Sequence, residues 1–198
     1  PSYAYHVTET WKMNNSGVPV WRDAGCDTGP LLRELPGMIY DPVNNRAIMC
    51  FGITTNTVLN DSWTLSLPST GRSSWTALNP TGTPPVGRWG ASVVYDSLND
   101  QAVFFGGKND VPTAYQDTSF LTLPASAATP VWTARTVSGT APSVRWGHVA
   151  VYDPGRARMI VFGGTNAADT TWYKDTYELT LPATGNPTWR VMAPSNTA

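Results

Sequence analysis

The sequence predicts an all-β fold: four-stranded antiparallel units set radially as a β-propeller, with an incomplete ring within this chain. Three observations carry that expectation. A block of markers recurs at nearly constant spacing, the composition suits strands and turns, and no stretch holds apolar residues at a helical period.

The repeat comes first. Pro30, Pro85 and Pro142 recur at intervals of 55 and 57, and Arg33, Arg88 and Arg145 keep the same intervals. So do Tyr40-Asp41, Tyr95-Asp96 and Tyr152-Asp153, and Gly52, Gly107 and Gly164. Trp75, Trp132 and Trp189 recur at 57. Asp61, Asp117 and Asp175 each precede a Leu-Thr/Ser-Leu-Pro run. The small shifts between markers place the length variation in loops.

Each unit reads as four strands, lettered A to D. Strand A follows the Arg, at 91–95 or 148–152. A tight turn leads to B, a continuous apolar run at 102–105 or 159–162 that ends in glycine; such continuity implies burial on both faces. Strand C alternates around 64–67, 121–123 and 179–181, and D carries Trp75, Trp132 or Trp189. One such sheet cannot bury both faces alone, and radial stacking solves that.

The units divide the chain into residues 1–29, the C-terminal half of a unit, followed by 30–84, 85–141 and 142–198. In the half unit, Glu9-Thr10-Trp11 matches Asp61-Ser62-Trp63, and Trp21 matches Trp75. Three and a half units fall short of the four to eight that close a ring. Open blade edges are expected, with the remaining blades supplied elsewhere, in the same protein or in another subunit.

Composition agrees. The 198 residues include 17 Gly, 17 Pro and 9 Trp, only 14% are charged, and the lysines are Lys12, Lys108 and Lys174. This favours short strands and turns over charged helices. The net charge of −1, with no basic cluster, argues against nucleic acid. No apolar run is long enough to span a membrane. Cys26 and Cys50, 24 residues apart in unlike contexts, are not a metal site; two free thiols fit better than a disulfide.

At the level of motif, the unit resembles a kelch repeat. The marks are the Pro-x-x-Arg start, the apolar strand ending in a double glycine, the Asp before an aromatic, and the late Trp. Residues 143–164, SVRWGHVAVYDPGRARMIVFGG, match best, and 86–107 follow closely. The copy at 31–52 has drifted: Phe51-Gly52 replaces the double glycine, and Glu34-Leu35 replaces Trp-Gly. The resemblance covers nearly the whole chain. It implies a kelch β-propeller that binds proteins through one loop face. Its style, similar to kelch repeats of secreted bacterial proteins, implies an extracellular or cell-surface setting.

That face gathers the B–C loops, roughly 53–60, 108–116 and 165–174, with the D–A connections. Loops on a rigid scaffold carry function disproportionately, and aromatics with arginine anchor interfaces. The candidate partner-binding residues are therefore Trp172, Tyr173, Tyr115, Arg88, Trp89, Arg145, Trp146 and Arg33. Trp172 and Tyr173 lead, as loop aromatics that break the repeat. The arginines carry a second reading, hydrogen bonding to neighbouring backbone, because they recur in every unit. Trp75, Trp132 and Trp189 read as core, and Trp89 and Trp146 suit either core or surface. The recurring aspartates read as turn caps.

Catalysis is not expected from these residues. General acid–base or nucleophilic chemistry needs a converging set, and the chain has two histidines, His6 and His148. His148 stands where the other units have small residues and reads as packed structure. No phosphate loop is present, since no helix follows the double glycines. No cofactor or metal is expected. The partner is expected to be a protein. Rival readings are a carbohydrate-binding propeller, with Trp172, Tyr173 and Trp89 as stacking platforms, and a piece of a propeller enzyme whose catalytic residues lie in other blades.

Overall fold

The computed structural model describes residues 9–13, 19–23, 29–110, 113–125 and 128–193, with backbone alone for 9–13 and 19–23. His6 and Cys26 lie outside the described residues. Every regular element described is a strand. In chain order they are β1 (Glu9–Met13), β2 (Pro19–Asp23), β3 (Gly37–Asp41), β4 (Arg46–Cys50), β5 (Ser62–Ser66), β6 (Trp75–Leu78), β7 (Thr81–Gly82) and β8 (Ser92–Asp96). There follow β9 (Gln101–Phe105), β10 (Thr118–Thr122), β11 (Val131–Thr133), β12 (Ser138–Gly139), β13 (Val149–Asp153), β14 (Arg158–Phe162), β15 (Thr176–Thr180) and β16 (Thr188–Val191).

β1 and β2 pair antiparallel, with Trp11 opposite Trp21. The other strands form three antiparallel blades: β3-β4-β5-β6, β8-β9-β10-β11 and β13-β14-β15-β16. Strand C starts earlier than the alternation around Leu65, Leu121 and Leu179 suggests. Ser62 pairs with Cys50, Thr118 with Phe105 and Thr176 with Phe162, so the ladder closes immediately after the B–C loop. Leu67, Leu123 and Leu181 have left the strand, and their N–H groups instead bond the carbonyls of Asn45, Asp100 and Ala157.

The blades stack through alternate residues, as the pleat requires. Ile39, Ile48, Cys50 and Phe51 of the first pack on Ala102, Phe104, Leu121 and Trp132 of the second. Val94, Val103, Phe105 and Phe120 of the second pack on Met159, Val161, Leu179 and Trp189 of the third. Each fully buried side chain of this size contributes about 1.5–3 kcal/mol. β9, covered on both sides, is buried at all five positions.

The far face of the third blade is different. Val149, Val151 and Phe162 are 63%, 59% and 50% exposed. Their counterparts one unit earlier, Ser92, Val94 and Phe105, are buried. No described residue covers this face. Glu178 takes the place of the buried Phe120 and pairs with Arg158 at 2.5 Å.

The connections between blades add strands of their own. β7 pairs parallel with β11, and β12 with β16, each from the chain leading into that blade. The approach is close: a Cβ on Gly139 would stand 2.1 Å from the Trp189 carbonyl oxygen.

The drifted first unit keeps the backbone of the others. Phe51 stands at φ 67°, where Gly106 and Gly163 stand at 65° and 72°. Its side chain repays the strain by filling the interface with the second blade, its ring centroid 5.1 Å from that of Phe104 and 5.9 Å from that of Trp132. Cys50 is a buried free thiol, 3.3 Å from Ser62 Oγ, and burial pushes it up to about 12.

Candidate functional site

The loop face is built from a repeated charged clasp. In each blade the arginine of the D–A connection reaches the aspartate that opens strand C. Arg33, Arg88 and Arg145 each hold both carboxylate oxygens, of Asp61, Asp117 and Asp175 respectively, at 2.5–3.0 Å. Each guanidinium also donates to the carbonyl at the end of strand B: Phe51, Gly106 or Gly163. The aspartates are therefore partners of the arginines, not turn caps. An ionised carboxylate that receives a planar two-pronged donor is better satisfied than one capping a turn. Hydrogen bonds from Arg145 hold Asp175 below the usual carboxylate range, against the opposing effect of burial. For Asp61, burial pushes upward, and the bonds from Arg33 and Trp63 Nε1 outweigh it.

The arginines also support the loop tyrosines. The Arg88 guanidinium carbon lies 4.3 Å from the Tyr115 ring centroid, and Arg145 lies 4.3 Å from that of Tyr173. Tyr115 and Tyr173 each donate a backbone N–H to the second glycine of the pair, Gly107 or Gly164, at 2.8 Å. Tyr173 thus keeps the repeat, and Trp172 alone breaks it. The signal was available: both tyrosines stand two residues before the clasp aspartate.

Backbone bonds then tie one blade's loops to the next. Gly107 N–H donates to the Arg145 carbonyl at 2.9 Å, and Arg145 N–H to the Tyr115 carbonyl at 3.1 Å. Gly52 and Arg88 repeat the first of these links, and Arg88 and Leu59 the second. The loop face is a stitched surface rather than a set of free loops.

The predicted residues divide accordingly. Arg145 is wholly buried and Arg88 2% exposed, with Nε of each also bonded to a carbonyl. Arg33 has the same bonds and is less covered. Tyr115 and Tyr173 are half-buried on their arginines. Trp89 and Trp146 meet edge to face at 4.7 Å, and the Lys108 ammonium lies 4.6 and 3.8 Å from their centroids. Asp169 draws this group together, 3.3 Å from Lys108 Nζ and accepting from Trp146 Nε1 at 3.0 Å. The lysine beside the two tryptophans was missed in the sequence, because it shares no motif with them.

Trp172 stands apart, at 75% exposure. Its loop is nevertheless ordered. Thr165 and Trp172 form a β-bridge, and the Asn166 side-chain carbonyl accepts from Thr170 N at 2.9 Å and Thr171 N at 3.2 Å.

His148 is buried between blades, with Nε2 2.8 Å from Ser92 Oγ and its ring 5.3 Å from Phe105. Burial, with the Arg145 charge, lowers its pKa to about 4. Ser92 is itself buried and Nδ1 has no partner, so the pair lacks the carboxylate and the open side that nucleophilic catalysis needs. Among the described residues, no three His, Cys, Asp or Glu side chains group as a metal site.

Comparison with known proteins decides the family. The model described as KLHDC2/KLHL20/DRC7 Kelch-repeats domain matches residues 37–198. The chain belongs to the kelch-repeat family. Two solved structures share the fold. One is the structure of YjhT, with a TM-score of 0.60 and 15% identity, over 87% of this chain and 49% of that one. The other is a chain in the cryo-EM structure of RAG in complex with one melted and one unmelted RSS, with a TM-score of 0.60 and 14% identity, over 93% of this chain and 58% of that one. This kelch chain therefore spans about half the length of the solved chains it matches. Its blades form a kelch propeller module, a kind of module that generally serves protein interaction. Among the described residues, no helix is long and apolar enough to cross a membrane.

Proposed function

We propose that the chain is a non-catalytic protein-binding surface that engages its partner through the B–C and D–A loop face. One observation carries the reading. Trp172 presents three quarters of its surface to solvent from a loop held by its own hydrogen bonds and by the clasp beneath it. A large, pre-ordered aromatic of this kind costs little entropy to bury against a partner. Tyr173, Tyr115, Trp146 and Trp89 extend the surface, and Arg33, Arg88 and Arg145 hold it in shape. We place the protein outside the cell on the repeat style and the scarcity of lysine.

Capture by immobilised protein tests this. Wild type and Arg156→Ala, which alters an exposed turn on the opposite face, should retain the same partner. Trp172→Ala should lose it. Retention by all three would sink the reading. Binding to an oligosaccharide array that Trp172→Ala abolishes would favour the carbohydrate reading instead.

The uncovered face of the third blade supports a second proposal, that further blades complete the ring. Val149, Val151 and Phe162 occupy the positions through which the second blade seats the third. The intact mass of the natural protein, with light scattering, tests it. A stable 198-residue monomer would refute it.

A further inference from the structure

The drifted first unit has altered one corner of the loop face in a consistent direction. A cavity of about 530 Å³ opens there, lined in part by Leu32, Glu34, Leu35, Ile53, Thr54 and Trp89. Leu35 stands at its rim with φ 49° and 49% exposure. The equivalent positions in the next two blades are glycines, Gly90 at 64° and Gly147 at 65°. A leucine in this conformation is strained, and half of its surface gains nothing from burial. Strain kept without a folding return marks a position selected for contact with something else.

The next interface shows what such a corner holds. There the backbone frame is Trp89 bridged to Lys108 and Lys108 to Ala114. The Lys108 ammonium lies on Trp146 and Trp89, beside the Asp169 carboxylate. At the cavity the same frame recurs, Glu34 bridged to Ile53 and Ile53 to Val58. Ile53 replaces the lysine, Glu34 replaces one tryptophan, and Trp89 takes the place of the other. A carboxylate and an indole are present, and among the described residues no cation is paired with the carboxylate; the Lys108 ammonium that reaches the Trp89 ring is held by Trp146 and Asp169. Arg33 also lines the cavity, but its guanidinium is committed to Asp61. Glu34 makes no ion pair among the described residues. Leu32, Leu35 and Ile53 supply apolar wall for an alkyl stem.

We infer that this corner takes a lysine side chain of the partner, with its ammonium between Glu34 and the Trp89 ring and its stem along Leu35 and Ile53. The inference rests on the loop face being a binding surface, and it names the chemistry of one contact there. Trp172 lies on another blade and plays no part in it.

The test is a titration with the peptide acetyl-Gly-Lys-Gly-amide, followed by the Trp89 indole N–H resonance, which Trp89→Phe assigns. The peptide should shift this resonance saturably. Versions with norleucine or acetyl-lysine should bind at least about fivefold more weakly, as should the lysine peptide to Glu34→Gln. Ile53→Lys, which supplies the chain's own ammonium, should abolish the response. Leu35→Gly should fold normally, because its neighbours have glycine there, and yet bind less. Equal binding of all three peptides, no response, or a response that survives Ile53→Lys would overturn the inference. Trp172→Ala should leave the titration unchanged. Loss of the lysine response with partner capture intact would therefore remove this contact alone.

Discussion

The Tyr152 hydroxyl of the third blade donates to the carboxylate of Asp96 in the second, at 2.7 Å. Asp96 is fully buried and also accepts from Leu98 N, Asn99 and Gln101. One blade earlier, Tyr95 turns instead to Asp100 of its own turn. Burial and the Asp96 bond push the Tyr152 phenol up to about 12. Tyr152→Phe should cost about 1.5–3 kcal/mol, the usual worth of a hydrogen bond to a charged group. Tyr95→Phe should leave the contact between blades intact. Denaturant titration of both variants checks this. An unchanged midpoint for Tyr152→Phe would remove this bond from the list of contacts that hold blade to blade.

His148 makes stability depend on pH. Its folded pKa is about 4, below its ordinary 6.5. The unfolded chain therefore takes up a proton first as pH falls through 6.5, and the folded state follows only near 4. Stability from this group is complete above 6.5 and declines between 6.5 and 4. Between pH 7 and pH 5 the loss should be about 2 kcal/mol. His148→Gln should flatten that slope in urea titrations at the two pH values. An equal slope in the variant would show that other groups set it.

Leu35→Gly should raise stability by about 0.5–1 kcal/mol, because glycine adopts φ 49° without strain. The variant gains in melting temperature while losing lysine affinity, a combination that a purely structural residue does not give. A fall in melting temperature would assign Leu35 a packing role.

Trp172→Ala should change stability by less than about 0.5 kcal/mol, as for a surface residue away from the core. Thermal unfolding checks this. A large drop would place the indole in a packed contact and withdraw it from the binding surface.

The blades were legible because each strand's apolar pattern is local and repeats three times. The onset of strand C was not. Ser62, Thr118 and Thr176 pair through backbone alone, and their side chains carry no alternation signal. The clasp was half legible. Arg33 and Asp61, Arg88 and Asp117, and Arg145 and Asp175 recur together, 28, 29 and 30 residues apart. Joint recurrence was the sign that they meet, and treating each as an isolated marker hid it. The cluster of Lys108, Trp89, Trp146 and Asp169 draws on two blades and two loops. Only the stacked arrangement brings these residues together.

The two short parallel strands have a consequence for the order of assembly. β7 precedes the blade whose rim it completes, and so does β12. During synthesis, the segment that caps each outer edge leaves the ribosome before the strands it caps. The second and third blades thus emerge with a partner already waiting for their last strand. Their rims need not stay bare while the rest of the chain is made.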